Sequence, residues 1–137
     1  MEDRYLFKAK TARIVDSFNN ADDGVWVKGY LRCDTGKWEI SQFEYDRADY
    51  VWYEVDPATI CQSTGLKDKR DNLIWENDIV RVIIENGNTV CRCAFDDTVA
   101  HFQLWQKHTI KGTPTALDLG NYDCEVIGNI FDNKEFA

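Results

Sequence analysis

The sequence predicts a mainly β protein with antiparallel strands. Short runs of aromatic and β-branched residues alternate with period two, whereas the 3.6-residue period of an amphipathic helix is almost absent. Turn-forming residues separate these runs. The Asn86-Gly87 pair between two apolar runs is typical of a tight hairpin, because both residues tolerate positive φ. Together these observations predict short strands joined largely by turns and hairpins.

Residues 1–55 are predicted to form an antiparallel β segment. In "VWVKGYLRC", Val25, Val27, Leu31 and Cys33 alternate with more polar positions, as in a strand that has one buried face and one wetter face. The runs "KWEISQFEY" and "YVWYEV" follow with the same character, and the turn-forming stretches "NADDG" and "DTG" punctuate the segment.

A short connector helix is predicted over residues 56–65. Asp56 can accept hydrogen bonds from the free N–H groups of a first helical turn, and Pro57 suits the first helical position because it has no N–H to satisfy. Gly65 is expected to end the helix with positive φ. The helix "PATICQST" would then have about two turns.

Residues 66–137 are predicted to be a second β unit. The runs "DIVRVII" and "TVCRCAF" are expected to pair antiparallel through Asn86-Gly87, and "HFQLW" and "CEVIGNIF" supply further strands. The segment "HTIKGTPTALDLGNY" lacks periodicity and contains a proline, so it is predicted to be a long loop.

The charge balance makes general nucleic-acid binding unlikely. The chain has 24 acidic and 16 basic residues, a net charge of -8, and the acidic excess is spread evenly along it. Phosphate backbones are bound by clustered Lys and Arg, so nucleic-acid binding would need a local basic patch.

The start of the chain and its cysteines indicate a cytoplasmic protein. The opening "MEDRYLFKAK" lacks the charged and then apolar pattern of a leader, and no apolar run approaches the roughly 18 residues of a membrane span. Five dispersed cysteines, an odd number, do not resemble the disulfide framework of a secreted protein. We therefore expect reduced thiols and no membrane segment.

No metal site or cofactor is predicted. Cys91 and Cys93 lie on one face of a predicted strand, where their geometry suits tetrahedral zinc poorly, so they are expected to be buried beside Phe95. The spacing of His101 and His108 adds no ligand pattern. The stretch "LKDKRDN" lacks the central Gly and the closing Glu of a calcium loop, and is predicted to be a solvated hairpin turn.

The usual catalytic motifs are also absent from the sequence. It contains no Gly-rich phosphate loop, no G-x-S-x-G and no H-E-x-x-H, and its acidic pairs Asp22-Asp23 and Asp96-Asp97 fall in predicted turns. We therefore predict no catalytic residues, with carboxylate chemistry kept as an alternative.

The stretch "YEVDPATICQSTGLKDKRDNLIWENDIVRV" at residues 53–82 resembles the signature of the YopX family of phage and prophage proteins. The stretches "YLFKAK", "VWVKGYL" and "CEVIGNIFDNKEF" resemble the opening strand, the Trp-Val-x-Gly strand and the closing run of that family. The resemblance implies an SH3-like barrel over residues 66–137 and implies no established reaction. It also implies a bacterial host cytoplasm.

The signature residues are expected to be architectural. Arg70-Asp71-Asn72 replaces the Lys-Asn-Gly turn of the family and Asn77 replaces the Gly before Asp78, and Asn72 and Asn77 are expected to keep the same turns. Leu66, Ile74, Trp75, Ile79 and Val80 are expected to supply apolar contacts. The full set of signature positions is Asp56, Pro57, Gly65, Leu66, Trp75, Asp78 and Gly128.

Five tryptophans are too many for a small β protein to bury completely, and exposed Trp and Tyr anchor protein contacts. Trp26, Tyr30, Trp38 and Trp105 are the candidate binding surface. We therefore predict a non-enzymatic module that binds another protein or itself through a β face or edge. The alternatives are a nucleic-acid-related role, through a local patch or as an acidic DNA mimic, and a small carboxylate-based enzyme.

Overall fold

The computed structural model describes residues 6–12, 24–85, 87–96, 101–106, 116–118, 120, 122–133 and 135. The chain divides into two compact units, Met1–Gln62 and Ser63–Ala137. Within the described residues all strand pairings are antiparallel, and helical structure is confined to 3-10 turns. The prediction of a mainly β, antiparallel protein is confirmed.

In the first unit four strands are paired in the order β4-β3-β2-β1, and β1 also pairs with Cys61 and Gln62 on its other side. The strands are β1 (Phe7–Lys10), β2 (Trp26–Asp34), β3 (Lys37–Glu44) and β4 (Asp49–Glu54). Alternate residues of a strand point to opposite faces of the sheet. The period-two pattern therefore places the buried apolar residues on one face, and these form the core of the unit. Its fully buried members are Ala9, Val27, Ile40 and Val55.

Gly29 allows β2 and β3 to approach each other closely. It is the glycine of the "VWVKGYL" stretch, and a Cβ atom at this position would overlap the carbonyl oxygen of Ser41. The glycine is therefore required by the packing of two backbones, since any side chain would push β3 away.

The connector-helix prediction is wrong beyond its first turn. Asp56 does cap, since its Oδ1 accepts the N–H of Ala58 (3.0 Å), and the turn that follows is Pro57–Thr59. The chain is extended again from Ile60, and Cys61–Lys67 forms strand β5 instead of a second helical turn. A short helix is marginal by itself, whereas pairing with β1 satisfies backbone groups cooperatively.

Gly65 has the predicted positive φ of 78°, but it lies inside β5. The pairing of β5 with β6 (Leu73–Trp75) is irregular between Ser63 and Lys67, which indicates a β-bulge. Gly65 therefore serves the bulge and does not terminate a helix.

The second unit contains the β5–β6 pair and a five-stranded sheet in the order β10-β9-β8-β7-β11. Its strands are β7 (Asp78–Ile84), β8 (Gly87–Asp96), β9 (His101–Gln106), β10 (Ala116–Asp118) and β11 (Cys124–Asn129). No pairing between the edge strands β10 and β11 occurs within the described residues, so the sheet is open there. The core includes Ile74, Val80, Val82, Cys91, Cys93, Leu104 and Cys124.

The predicted pairing of "DIVRVII" with "TVCRCAF" is confirmed, with Ile79 opposite Arg92 and Ile84 opposite Gly87. The residues between the paired ends are Glu85 and Asn86, one position earlier than the sequence pattern predicts, and Asn86 lies outside the described residues. The predicted long loop is interrupted by β10, which pairs with β9. His108 and Asp97 also lie outside the described residues.

Four of the five cysteines are buried, and Cys33 is exposed. Cys91 and Cys93 belong to the core of the second unit, as the sequence predicts for small apolar side chains. Burial raises the pKa of Cys91 to about 11 and, together with nearby Asp68 and Asp123, raises the pKa of Cys124. These buried thiols are therefore protonated at neutral pH, and thiols in that state react slowly.

A thiol-specific disulfide reagent at pH 8 should consequently modify one thiol per native chain rapidly and all five after unfolding. Cys33→Ser should remove the rapid phase and leave the far-UV spectrum unchanged. Two or more rapidly reacting thiols in the folded protein would contradict the burial of Cys91, Cys93 and Cys124.

Candidate binding surface

One face of the first unit collects exposed aromatic side chains, and we call it the outer face. The register places Tyr30 opposite Ser41, and Ser41 opposite Trp52. Directly paired residues point to the same side of a sheet, and so do residues two positions apart. The outer face is therefore made by Trp26, Lys28, Tyr30, Arg32, Glu39, Ser41, Phe43, Tyr50, Trp52 and Glu54.

Arg32 and Trp52 form the centre of the outer face. The guanidinium carbon of Arg32 lies 3.7 Å from the centroid of a Trp52 ring, a stacked cation–π contact. The same guanidinium forms an ion pair with Glu39 at 3.2 Å. These two contacts hold both long side chains in fixed positions across three strands.

A second aromatic group lies at the hairpin that joins β3 to β4. Phe43 packs edge-on against Tyr45 and Tyr50, with ring centroids 4.9 Å and 5.2 Å away. Phe43, Tyr50, Trp52 and Tyr30 are between 37 % and 53 % exposed, although they contact neighbouring side chains. The outer face thus presents large rings in ordered positions to solvent.

Trp26 lies at the other end of the outer face, beside β1. The ammonium groups of Lys8 and Lys10 lie 4.7 Å and 5.5 Å from its ring centroids. Lys8 is buried, so its stem packs under the tryptophan while its charge remains close to the ring. This end of the face is therefore basic as well as aromatic.

A cleft of about 590 Å³ opens within the first unit. Pairing of β2 with β3 begins at Tyr30, so the first unit has two arms on that side. One arm is the earlier half of β2 with β1, and the other is the later half of β3 with β4. The two arms meet again where the N–H of Ala12 donates to the carbonyl of Glu54 (2.9 Å). The cleft lies between these arms.

A hydrogen-bonded group of three side chains lines this cleft. Oε1 of Glu44 accepts from the hydroxyl of Tyr53 (2.6 Å) and from Nε2 of Gln42 (3.0 Å). The bond from Tyr53, then that from Gln42, with a small effect of Arg47, lowers the pKa of Glu44, and the same bond raises the pKa of Tyr53. Glu44 is therefore a fixed carboxylate at neutral pH.

The structure separates the four residues predicted as a binding surface. Trp26 and Tyr30 lie on the outer face. Trp38 pairs with Cys33 and is two positions from buried Ile40, so it points to the opposite side at the end of the sheet. Trp105 belongs to β9 of the second unit, where it is partly buried opposite Arg92.

The sequence prediction missed Phe43, Tyr50 and Trp52. The sequence "DYVWYE" contains the signal, because its even-numbered residues point to one face of the sheet and its odd-numbered residues point to the other. Alternation alone does not say which of two aromatic faces is buried, because Tyr50 and Trp52 are no more polar than Val51 and Tyr53.

The signature residues are mostly structural. Oδ2 of Asp78 accepts the N–H of Trp75 (2.8 Å), and both residues are buried. Gly128 lies at a register shift of β11, where a Cβ atom would overlap the side-chain amide of Asn133. Ile74, Ile79 and Val80 are buried, whereas Leu66 is 42 % exposed.

The turn at "KDKRDN" is organised by a buried aspartate. Oδ1 of Asp68 accepts the N–H groups of Arg70 and Asn72, and Oδ2 accepts that of Val126, each at 2.9 Å. Burial alone would raise the pKa of Asp68, but these donors outweigh it and lower the pKa. Positive φ falls on Asp71 (67°) and not on Asn72, while Asn77 (70°) keeps its turn as predicted.

A family profile described as YopX protein matches residues 18–136. The chain belongs to the YopX family. A comparison with curated proteins finds no match. In this YopX chain, most of the signature at residues 53–82 therefore specifies caps, turns and core contacts, and the outer face lies largely outside it.

The part of the chain that the structure describes contains no group of three or more His, Cys, Asp and Glu side chains placed to hold a metal ion. Among the same residues, no helix has the length and apolar character needed to cross a bilayer.

Proposed function

We propose that this YopX protein is a non-enzymatic binding module that contacts a protein partner, or a second copy of itself, through the outer face. The observation that carries the proposal is the cluster of ordered, exposed side chains of Tyr30, Arg32, Phe43, Tyr50 and Trp52. Tyr, Trp and Arg are the residues that most often dominate the energy of protein interfaces.

Two observations favour a protein over a nucleic acid as the partner. The chain has a net charge of -8, which repels phosphate backbones. The cations of the outer face are already engaged within it, since Arg32 pairs with Glu39 and stacks on Trp52, while Lys8 and Lys10 lie over Trp26. Exposed aromatic rings beside an arginine that already has an acidic partner suit a protein interface.

The experiment compares partner capture by wild type and by the Tyr50→Ser, Trp52→Ser double variant. Both are used as tagged baits in extracts of the bacterial host, with chemical cross-linking, and self-association is followed by sedimentation over a range of concentrations. Loss of a hot spot worth about 2 kcal/mol should weaken capture or self-association about 30-fold. Tyr122→Ser, at an exposed aromatic residue of the second unit, is the matched control.

Equal binding by wild type and the double variant would overturn the proposal, and so would equal loss in the Tyr122→Ser control. Circular dichroism and thermal melting establish that the double variant is folded.

A nucleic-acid role is the second candidate. It is favoured by the four cations that lie on or beside the outer face, Lys8, Lys10, Lys28 and Arg32, next to aromatic rings that bases could stack on. Binding of a single-stranded oligonucleotide that weakens steeply with salt, and that is lost in the double variant, would favour this candidate over a protein partner.

The remaining architectural and cellular predictions belong with this proposal. The five-stranded antiparallel sheet of the second unit supports an SH3-like arrangement of residues 66–137, which the family resemblance implies. A bacterial cytoplasm suits the reduced, buried thiols of the core.

A further inference from the structure

We propose that the cleft between the two arms of the first unit receives a lysine or arginine side chain of the protein partner. The inference rests on the proposed function, because it supplies the chemistry of the partner that the outer face would contact. The cleft shares Trp26, Trp52 and Glu54 with the outer face, but its carboxylate Glu44 and the neighbouring Tyr53 lie outside that face, so the two proposals can fail separately.

The described lining of the cleft is acidic. Glu44 and Glu54 line the cleft, and none of the described residues that line it is basic. Glu44 is held in place by Tyr53 and Gln42, so its negative charge is oriented before any ligand arrives. A fixed carboxylate loses less conformational entropy when it pairs with an incoming cation.

Aromatic rings form part of the cleft wall. Trp26, Trp52 and Tyr53 all line the cleft. Ammonium and guanidinium groups are attracted to such rings, by about 0.5–2 kcal/mol per contact depending on desolvation. Both tryptophans already hold cations of this chain, Arg32 at Trp52 and the two lysines at Trp26, so an incoming cation must share these rings or displace those groups.

The size and the apolar part of the cleft also suit a long basic side chain. A volume of about 590 Å³ exceeds that of one side chain, so the cleft has room for a basic side chain together with part of its flanking backbone. Ala12, Val25 and Val27 supply apolar wall for the alkyl stem, which long basic side chains bury while the charge finds polar partners.

The probe is the tripeptide acetyl-Gly-Lys-Gly-amide, titrated into the full-length protein while the indole N–H resonances of the tryptophans are followed by NMR. We expect saturable shifts at Trp26 and Trp52, and we expect the arginine tripeptide to act similarly. The isosteric norleucine tripeptide, which lacks only the charge, should produce no saturable shift.

Variants test the role of the carboxylates. Glu44→Gln combined with Glu54→Gln should weaken binding of the lysine tripeptide at least about tenfold, since two charges are removed from the cleft. Glu85→Gln, at an exposed carboxylate of the second unit, should bind like wild type. If Glu44→Gln fails to fold because it disturbs Tyr53, Glu54→Gln alone still tests the proposal, with a smaller expected loss.

Equal binding of the norleucine peptide, unchanged affinity in the glutamine variants, or absence of saturable shifts would overturn the proposal. Binding of free butylamine without binding of the peptides would also overturn it, because the cleft would then take a free amine. If the cleft fails while the outer-face double variant still loses its partner, the proposed function survives. If the cleft binds the lysine tripeptide while the double variant keeps its partner, the proposed function alone is overturned.

Discussion

Replacing Trp75 by alanine is expected to lower the free energy of unfolding by about 3–5 kcal/mol, the usual cost of truncating a buried aromatic side chain. Trp75 is only 4 % exposed, and it ends strand β6 opposite Ser63 of β5. The truncation would leave a cavity beneath the β5–β6 pair. Urea unfolding followed by circular dichroism measures the loss.

The same change at Trp52 is the matched control. Trp52 is exposed on the outer face, where it stacks with Arg32, so Trp52→Ala should cost about 1 kcal/mol or less. Within the signature, Asp56→Ala removes one cap and should cost about 1 kcal/mol. Gly65→Ala, at positive φ, should cost the same or somewhat more. Equal losses at Trp75 and Trp52 would contradict the assigned burial.

Asp68→Asn is expected to lower the free energy of unfolding by about 3 kcal/mol at neutral pH. Three backbone N–H groups would then share a weaker acceptor, and the amide NH₂ would face at least one of these donors. Asp71→Asn is the control. Asp71 is exposed and pairs only loosely with Lys67 (3.6 Å), and asparagine tolerates its positive φ, so the cost should be within about 0.5 kcal/mol.

The stabilisation from Asp68 should also depend on pH. Its pKa is lower in the folded chain than the ordinary aspartate value of 3.8, so the folded state favours the ionised form. The contribution is therefore complete well above pH 3.8 and is lost as the pH falls through the lower folded pKa. Urea unfolding between pH 7 and pH 2 should show the difference between wild type and Asp68→Asn shrinking only in the acid range. A difference that stays constant down to pH 2 would contradict this.

The connector shows the limit of local reasoning. Asp56 and Pro57 specify a helical start through interactions within three residues, and the structure has that start. Whether the turn continues depends on competition with strand pairing, and Cys61 pairs with Lys8, which is more than 50 residues earlier in the chain. No window around Cys61 contains that partner, so the predicted helix was too long.

The candidate surface shows the same limit in another form. Alternation places Trp26, Tyr30 and Trp38 at the more polar positions of their strands, and the first two do lie on the outer face. Trp38 does not, because the register with β2 places it on the side of Ile40. The cleft was not foreseen, since it arises where β2 leaves β3, and that departure is a property of the paired strands.

The sequence by itself determined the strand content, the β7–β8 pairing, the cap at Asp56, the burial of Cys91 and Cys93, and the YopX family, because alternation, turn chemistry and short motifs act over a few residues. The tertiary structure alone decided which aromatic residues share the outer face, that Glu44 and Glu54 line a cleft with Trp26 and Trp52, and that Asp68 binds the N–H of Val126. Each of these depends on register between strands distant in sequence. A shift of one residue in that register exchanges the buried and exposed faces, and only the packing of the complete chain fixes it.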